Sequence, residues 1–570
     1  MVNSLVIVAI CLAGFGLAYR FYSRYLAERV LGLDPSRKTP AQEFEDGIDF
    51  VPTRKEVLFG HHFASIAGLG PIVGPAVAVI WGWLPALLWI VLGSIFMGAV
   101  HDLAALYLSL RHRGVSIGAL TERIIGRRAR VLFLFLIFFI LALAMGVFAN
   151  KVALLFATPL DQAGQPDAVL PTAALIGIAL LIGVLVYRVK RLGLLPPTLI
   201  GLVLMALTIW LGTVYPITGI SYNEWIALLL GYTFAASVLP VWLLLQPRDY
   251  INSFQLYFGL LFIFAGLVVY HPPMAAPAVN WHPEGAPPML PFIFIVVACG
   301  ALSGFHNLVS SGTTVRQLKS EADARFVGYG GMITEGVLAL GVLMACAAAL
   351  PDRQSWLAQY PNWRLANEGA LGNFIGGAGI ILTHLGIPEH LGRTFTAVVC
   401  VSFAMTTLDT ATRLLRYNIE EIGKSFDLPW LSRVLGNRFA ASALAVAAIG
   451  YFALIKVAGR SVGAVLWQLF GTSNQLLAGL GLLMAVLYLL KQRRPYLPLL
   501  APMVLVFLFT ISAMLLKLLD FWRGGDWAVF GVGLIILVLA GWMVVEAILA
   551  IRGYLAGKEP DLEEPMHHHV

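Results

Sequence analysis

Residues 57–81 read VLFGHHFASIAGLGPIVGPAVAVIW, apolar enough to enter a bilayer yet carrying Gly68, Gly70, Pro71, Gly74 and Pro75 at the centre. This pattern predicts a membrane helix that breaks. Proline removes a backbone donor and glycine weakens a helix interior, and in hydrocarbon each freed backbone group must find a partner. Such a break persists only where protein or a water-filled cavity covers it. In a transporter, freed carbonyls and half-helix ends are the groups that grip ions and substrate.

Composition places the rest of the 570-residue chain around that helix. Hydrophobic residues make up 59% and charged residues only 12%, with a mean hydropathy of +0.82, whereas soluble domains carry roughly 25% charge. The expected class is an all-α polytopic membrane protein. The net charge of +7 resides in short segments between apolar runs, a pattern that sets topology and does not call for nucleic acid. Cys11, Cys299, Cys346 and Cys400 lie in apolar segments with no CxxC pair, so they read as inert buried thiols.

Apolar runs at about 4–20, 57–80, 83–108, 131–150, 171–187, 195–215, 223–244, 254–270, 290–312, 327–350, 392–412, 438–457, 463–490, 498–517 and 527–551 predict about fifteen transmembrane helices. With the N-terminus outside and the C-terminus inside, the outer segments hold only Lys151, Arg353, Arg364, Arg393, Lys456, Arg460, Lys517 and Arg523 of the 38 Lys and Arg. That bias is the positive-inside pattern. Outer segments 271–289 and 351–391 read as caps, the second with a short helix near Ala370–His384. Segment 109–130, Arg-rich with interleaved Ile and Leu, predicts a helix lying in the lipid interface. His567–His569 form too short a tract to interpret.

A second interruption is expected in 223–244 (NEWIALLLGYTFAASVLPVWLL), at Gly231, Ala235–Ser237 and Pro240. Paired interrupted helices in corresponding positions point to an inverted-repeat transporter. Four stretches then carry a family resemblance: GHHFASIAGLGPIVGP (Gly60–Pro75), GAVHDL (Gly98–Leu103), SGFHNLVSSGTTVRQ (Ser303–Gln317) and TTLDTATRLLRY (Thr406–Tyr417). Together they resemble the carbon starvation protein A (CstA) family, within the amino acid–polyamine–cation group of secondary transporters. The resemblance implies a LeuT-like inverted-repeat core with two discontinuous helices plus peripheral helices. Its expected divisions are a peripheral helix and cytoplasmic segment over 1–56, five-helix repeats over 57–215 and 216–412, peripheral helices over 413–552 and a tail over 553–570. It implies uptake of peptides or pyruvate across the cytoplasmic membrane during carbon starvation.

Ionisable groups in a span are costly and so mark function. They are few here: His61 and His62 before the break, His101 and Asp102 closing the third span, His306, Glu335 and Asp409, with Arg413 one turn on and able to pair with it. No Lys or Arg is placed in mid-span. Expected substrate contacts are His61, His62, Ser65, Gly68, Gly70, Ser237 and His306, the half-helix N-termini at 68–75 and 237–240 suiting a carboxylate. Expected ion-coupling positions are Ala67, Ser310, Ser311, Thr314, Glu335 and Asp409. A proton is the preferred coupling ion because histidine titrates near neutrality. Sodium is the alternative, held by Ser310, Ser311, Thr313 and Thr314 against carbonyls near Ala67 and Leu69.

No cofactor or metal is expected, and the partners are a small solute and the bilayer, with no oligomeric state assigned. A channel or nutrient-sensing receptor shares the architecture without coupling. An intramembrane metalloenzyme is the lesser rival, with no HExxH or GxSxG in the chain.

Overall fold

A computed structural model describes residues 3–47, 50–159, 164–188, 195–239, 245–426, 428–455 and 462–556. In it the 57–81 stretch does break. Helix α2 (Lys55–Ile66) ends where Ala67 adopts φ −77° and ψ 67°, and α3 (Gly70–Trp81) leaves at 53° to it. Pro71 stands in the first turn of α3, where no donor is needed. The Gly68 N–H donates to the Ile66 carbonyl at 2.9 Å across the gap. Before this pair comes α1 (Ser4–Leu31), and after it α4 (Trp83–Arg111), the small helix α5 (Ile117–Ile124) and the 31-residue α6 (Arg127–Ala157).

The chain continues through α7 (Val169–Arg188), α8 (Leu195–Val214), α9 (Tyr222–Val238) and α10 (Leu245–Tyr270). The expected interruption of 223–244 is corrected here. Helix α9 runs unbroken through Gly231 and Ala235–Ser237 to Val238, because a small residue alone leaves the backbone hydrogen bonds intact. Pro240 lies outside the described residues.

The second break comes later. Helix α11 (Met289–Val296) stops, residues 297–303 are unwound, and α12 (Gly304–Val309) resumes and winds through a π turn and a 3₁₀ turn to Gln317. This segment lies directly on the first break. A Cβ on Gly70 would meet the Cys299 side chain at 2.3 Å, and one on Gly74 would meet the Val296 carbonyl at 2.5 Å. Both glycines are therefore demanded by close approach. The unwound carbonyls are answered by side chains: Trp89 Nε1 donates to Val297 O at 3.0 Å and Ser94 Oγ to Gly300 O at 3.0 Å.

There follow α13 (Arg325–Ala347), the shorter helix α14 (Ala370–Thr383), the 37-residue α15 (Glu389–Ser425), α16 (Arg438–Leu454), α17 (Val462–Lys491), α18 (Leu497–Gly524) and α19 (Trp527–Leu555). Among the described residues, eleven helices are long and apolar enough to cross a membrane, or up to thirteen if each bent pair is one span. Burial sorts them. The spanning window of α17 is 94% buried within the protein, against 28% for α1, α8 and α19. Helix α17, expected among the C-terminal peripheral helices, is therefore interior: its Asn474 accepts from the Phe305 N–H at 2.9 Å and donates to Ser303 Oγ at 3.1 Å, which caps α12.

Helix α5 also departs from expectation. Ile117, Leu120 and Ile124 bury against the bundle, chiefly on α6, so its apolar face meets protein and not lipid.

Candidate transport site

The two breaks bring charged groups together from three helices. In α4, His101 Nδ1 lies 2.8 Å from Asp102 Oδ1. The other Asp102 oxygen lies 2.8 Å from His306 Nδ1 of α12. On the far side of that ring, His306 Nε2 is 3.1 Å from Glu335 Oε2 of α13. All four side chains are fully enclosed. The His306–Glu335 contact is close but poorly aligned, and neither Glu335 oxygen makes a hydrogen bond. An imidazole between two carboxylates satisfies both only with an added proton, placed on the ring or on Glu335. The arrangement places an imidazole between two enclosed carboxylates at the seam of the broken helices.

His61 and His62, adjacent in sequence, point opposite ways. His62 Nδ1 lies 2.8 Å from Thr314 Oγ1, facing the His306 side. His61 Nδ1 lies 3.4 Å from Asp249 Oδ2 of α10. Beside Asp249, Arg248 pairs with Asp409 of α15 and donates to Tyr232 Oη at 2.6 Å, while Tyr232 Oη donates to Asp409 at 2.7 Å. The expected Asp409–Arg413 pairing is corrected: Arg413 Nη2 donates to the carbonyls of Ala236 and Leu239 at 2.8 and 2.7 Å, capping the C-terminus of α9. Arg248 is the nearer cation. Arg248 is enclosed at the start of α10, and Lys151 is likewise buried near the end of α6, its Nζ donating to Asn367 O at 3.0 Å.

The remaining predicted positions scatter. Ala67 and Gly68 form the break itself; a Cβ on Gly68 would lie 2.7 Å from Thr407 Oγ1. Ser65 and Ser237 return their hydroxyls to the carbonyls of His61 and Phe234, at 2.8 and 2.9 Å, and Ser237 lies on α9, away from the seam. Ser311 donates to Asn307 O at 2.8 Å and accepts from the Ile117 N–H. Ser310 Oγ is buried without a partner. The hydroxyl that faces the break belongs instead to α15, where Thr407 Oγ1 is buried and unpartnered. Arg248, Asp249 and Tyr232 went unforeseen because QPRDY, around Arg248, reads as a polar loop. Asp102 was placed at a span end, yet α4 continues to Arg111.

Two cavities flank α2 and α12 at the end where Thr53 pairs with Gln317. One, of about 420 Å³, includes Glu56, His61 and Tyr257 in its wall. The other, of about 230 Å³, includes Ser311, Asn418 and Glu421.

With this geometry in hand, the chain can be set beside known proteins. A family model described as Carbon starvation protein CstA matches residues 3–359 and 353–513. The chain belongs to the CstA family. Its CstA-family relatives include the Peptide transporter CstA of Helicobacter pylori (strain J99), 34% identical over 558 residues that cover 86% of this chain and 78% of that protein. The Pyruvate/proton symporter BtsT of Escherichia coli (strain K12) is 31% identical over 572 residues, covering the same 86% and 78%. Among solved structures, the Eremococcus coleocola manganese transporter is 13% identical with a TM-score of 0.43, over 89% of this chain and 99% of that one.

Proposed function

We propose that this CstA-family protein is a proton-coupled secondary importer of a small carboxylate-bearing carbon source, a peptide or pyruvate, across the cytoplasmic membrane, with its N-terminus outside and C-terminus inside. The observation that carries the reading is the pair of broken helices packed on each other with Asp102, His306 and Glu335 buried at their seam. The N-terminus of α3 opens at the break with its positive dipole end suited to a carboxylate, and the enclosed network offers a place for the coupling proton. Relatives named as a peptide transporter and as a pyruvate/proton symporter support the class.

The core is an inverted repeat with boundaries other than 57–215 and 216–412. One unit runs α2–α3, α4, α6, α9, α10; the other runs α11–α12, α13, α15, α16, α17. Each unit opens with a broken helix, has a small helix before its third member (α5 or α14), and follows that long member with a 17-residue helix (α9 or α16) packed on it. In each, the last helix packs on its own unit's broken helix, α10 on α2 and α17 on α11 and α12. Helices α7 and α8 are an insertion.

Sodium coupling is the second reading, favoured by one observation: the unpartnered Thr407 hydroxyl beside the Gly68 break. The test is uptake of labelled pyruvate, dipeptide and tripeptide into proteoliposomes under an imposed proton or sodium gradient. Accumulation driven by the proton gradient alone is expected. Flux of every substrate that ignores both gradients would leave a channel.

A further inference from the structure

The cavity of about 420 Å³ beside α2 ends on His61, whose side chain is 17% exposed, while Asp249 behind it is 1% exposed. Asp249 Oδ2, the oxygen turned to His61, makes no hydrogen bond. Its other oxygen lies 3.5 Å from Arg248 Nη2. Arg248 is already engaged by Asp409 and Tyr232. One guanidinium is therefore shared between two enclosed carboxylates, which leaves about one uncompensated negative charge. Arg413 acts on Asp409 across the cluster, but its Nη2 is held on the C-terminal carbonyls of α9, themselves a partial negative pole, so it offsets that charge only in part and does not reach Asp249. A buried unpaired charge is strongly unfavourable, and the group free to supply the missing positive charge is the His61 imidazole.

The other groups around α2 do not compete for this position. Glu56 lines the same cavity, and α10 adds Tyr250 and Tyr257. Helices α12 and α13 present Thr314, His306 and Glu335 to the opposite, His62 face. Asp323, before α13, faces Lys55 and Glu56 at the start of α2.

We propose that the His61–Asp249 contact is a proton-binding site, reached from solution through this cavity, whose occupancy decides whether the half-helix α2 stays docked on α10. With a proton on the imidazole, Asp249 is paired and α2 is held by an ion pair. When the proton returns to solution, the neutral ring leaves Asp249 uncompensated and α2 is released, hinging at the break over 67–69. This site is separate from the Asp102–His306–Glu335 network. It rests on the importer reading only for the use made of the motion.

The test is a pair of spin labels at Val57→Cys on α2 and Val434→Cys on the short helix Pro429–Leu435 that follows α15, in the full chain in liposomes, with the distance distribution read from about pH 5.5 to about pH 8. The natural cysteines are all buried and stay unlabelled. The parent is expected to show two distances whose ratio changes roughly tenfold or more over this range. His61→Gln and Asp249→Asn are each expected to remove the pH dependence, with less than about a twofold change. The same roughly tenfold response in His61→Gln, or none in the parent, overturns the proposal. Parallel uptake assays separate the two claims. A His61-dependent shift without gradient-driven uptake keeps the proton site and refutes the importer, whereas driven uptake without the shift does the reverse.

Discussion

At the scale of single residues, the enclosed charges divide into two groups with different tolerances. Arg248→Leu leaves Asp249 and Asp409 without their shared cation, so it is expected to cost roughly 3–5 kcal/mol, seen as a lower unfolding midpoint in detergent. Asp409→Asn keeps a hydrogen-bonding side chain beside Tyr232 and Arg248 and is expected to preserve the folded protein while abolishing driven uptake. Unchanged accumulation in that variant would make Asp409 a packing residue. Glu335→Gln removes the titratable partner of His306 without changing its shape. Exchange of substrate across the membrane is expected to survive in it, while uphill accumulation under a proton gradient is lost, as a comparison of counterflow with driven uptake would measure. These roles were only partly legible beforehand. Glu335, His306 and Asp409 stand out as isolated ionisable letters within span-length runs, whereas Arg248 and Asp249 hide in a polar flank and Asp102 in an apparent helix end.

At the scale of elements, the first break was legible because Gly68, Gly70 and Pro71 interrupt an apolar run within one turn. The second was not. Residues 297–303 read VACGALS, with one glycine and no proline, and their unwinding is imposed by partners: Trp89, Ser94 and Asn474 satisfy the backbone from outside the segment. Pro240 drew attention to 223–244, although α9 stays helical through Val238. The seam between the breaks makes a graded prediction. Gly70→Ala clashes with a side chain, so Cys299→Gly should restore the stability it loses. Gly74→Ala clashes with the Val296 backbone carbonyl, and no single side-chain truncation should restore it. Thermal unfolding of the single and double variants checks both, and equal rescue would mean that the seam is looser than described.

At the scale of the whole molecule, apolar periodicity was enough to establish a many-helix membrane protein, but depth in the bundle was not. Helix α17 and the lipid-facing α19 are both long apolar runs, and what tells them apart is a short polar motif on α17, Thr472 to Gln475, that is fully enclosed and reaches the unwound 297–303 segment. The account's central claim is that the seam of two broken helices couples a proton to solute import. Uptake into proteoliposomes with an inward proton gradient, compared with a sodium gradient and with none, tests it most directly. The account predicts accumulation of labelled pyruvate or peptide above equilibrium with the proton gradient alone, and its loss in Glu335→Gln. Equilibration without accumulation, the same in every gradient and unaffected by Glu335→Gln, would contradict it.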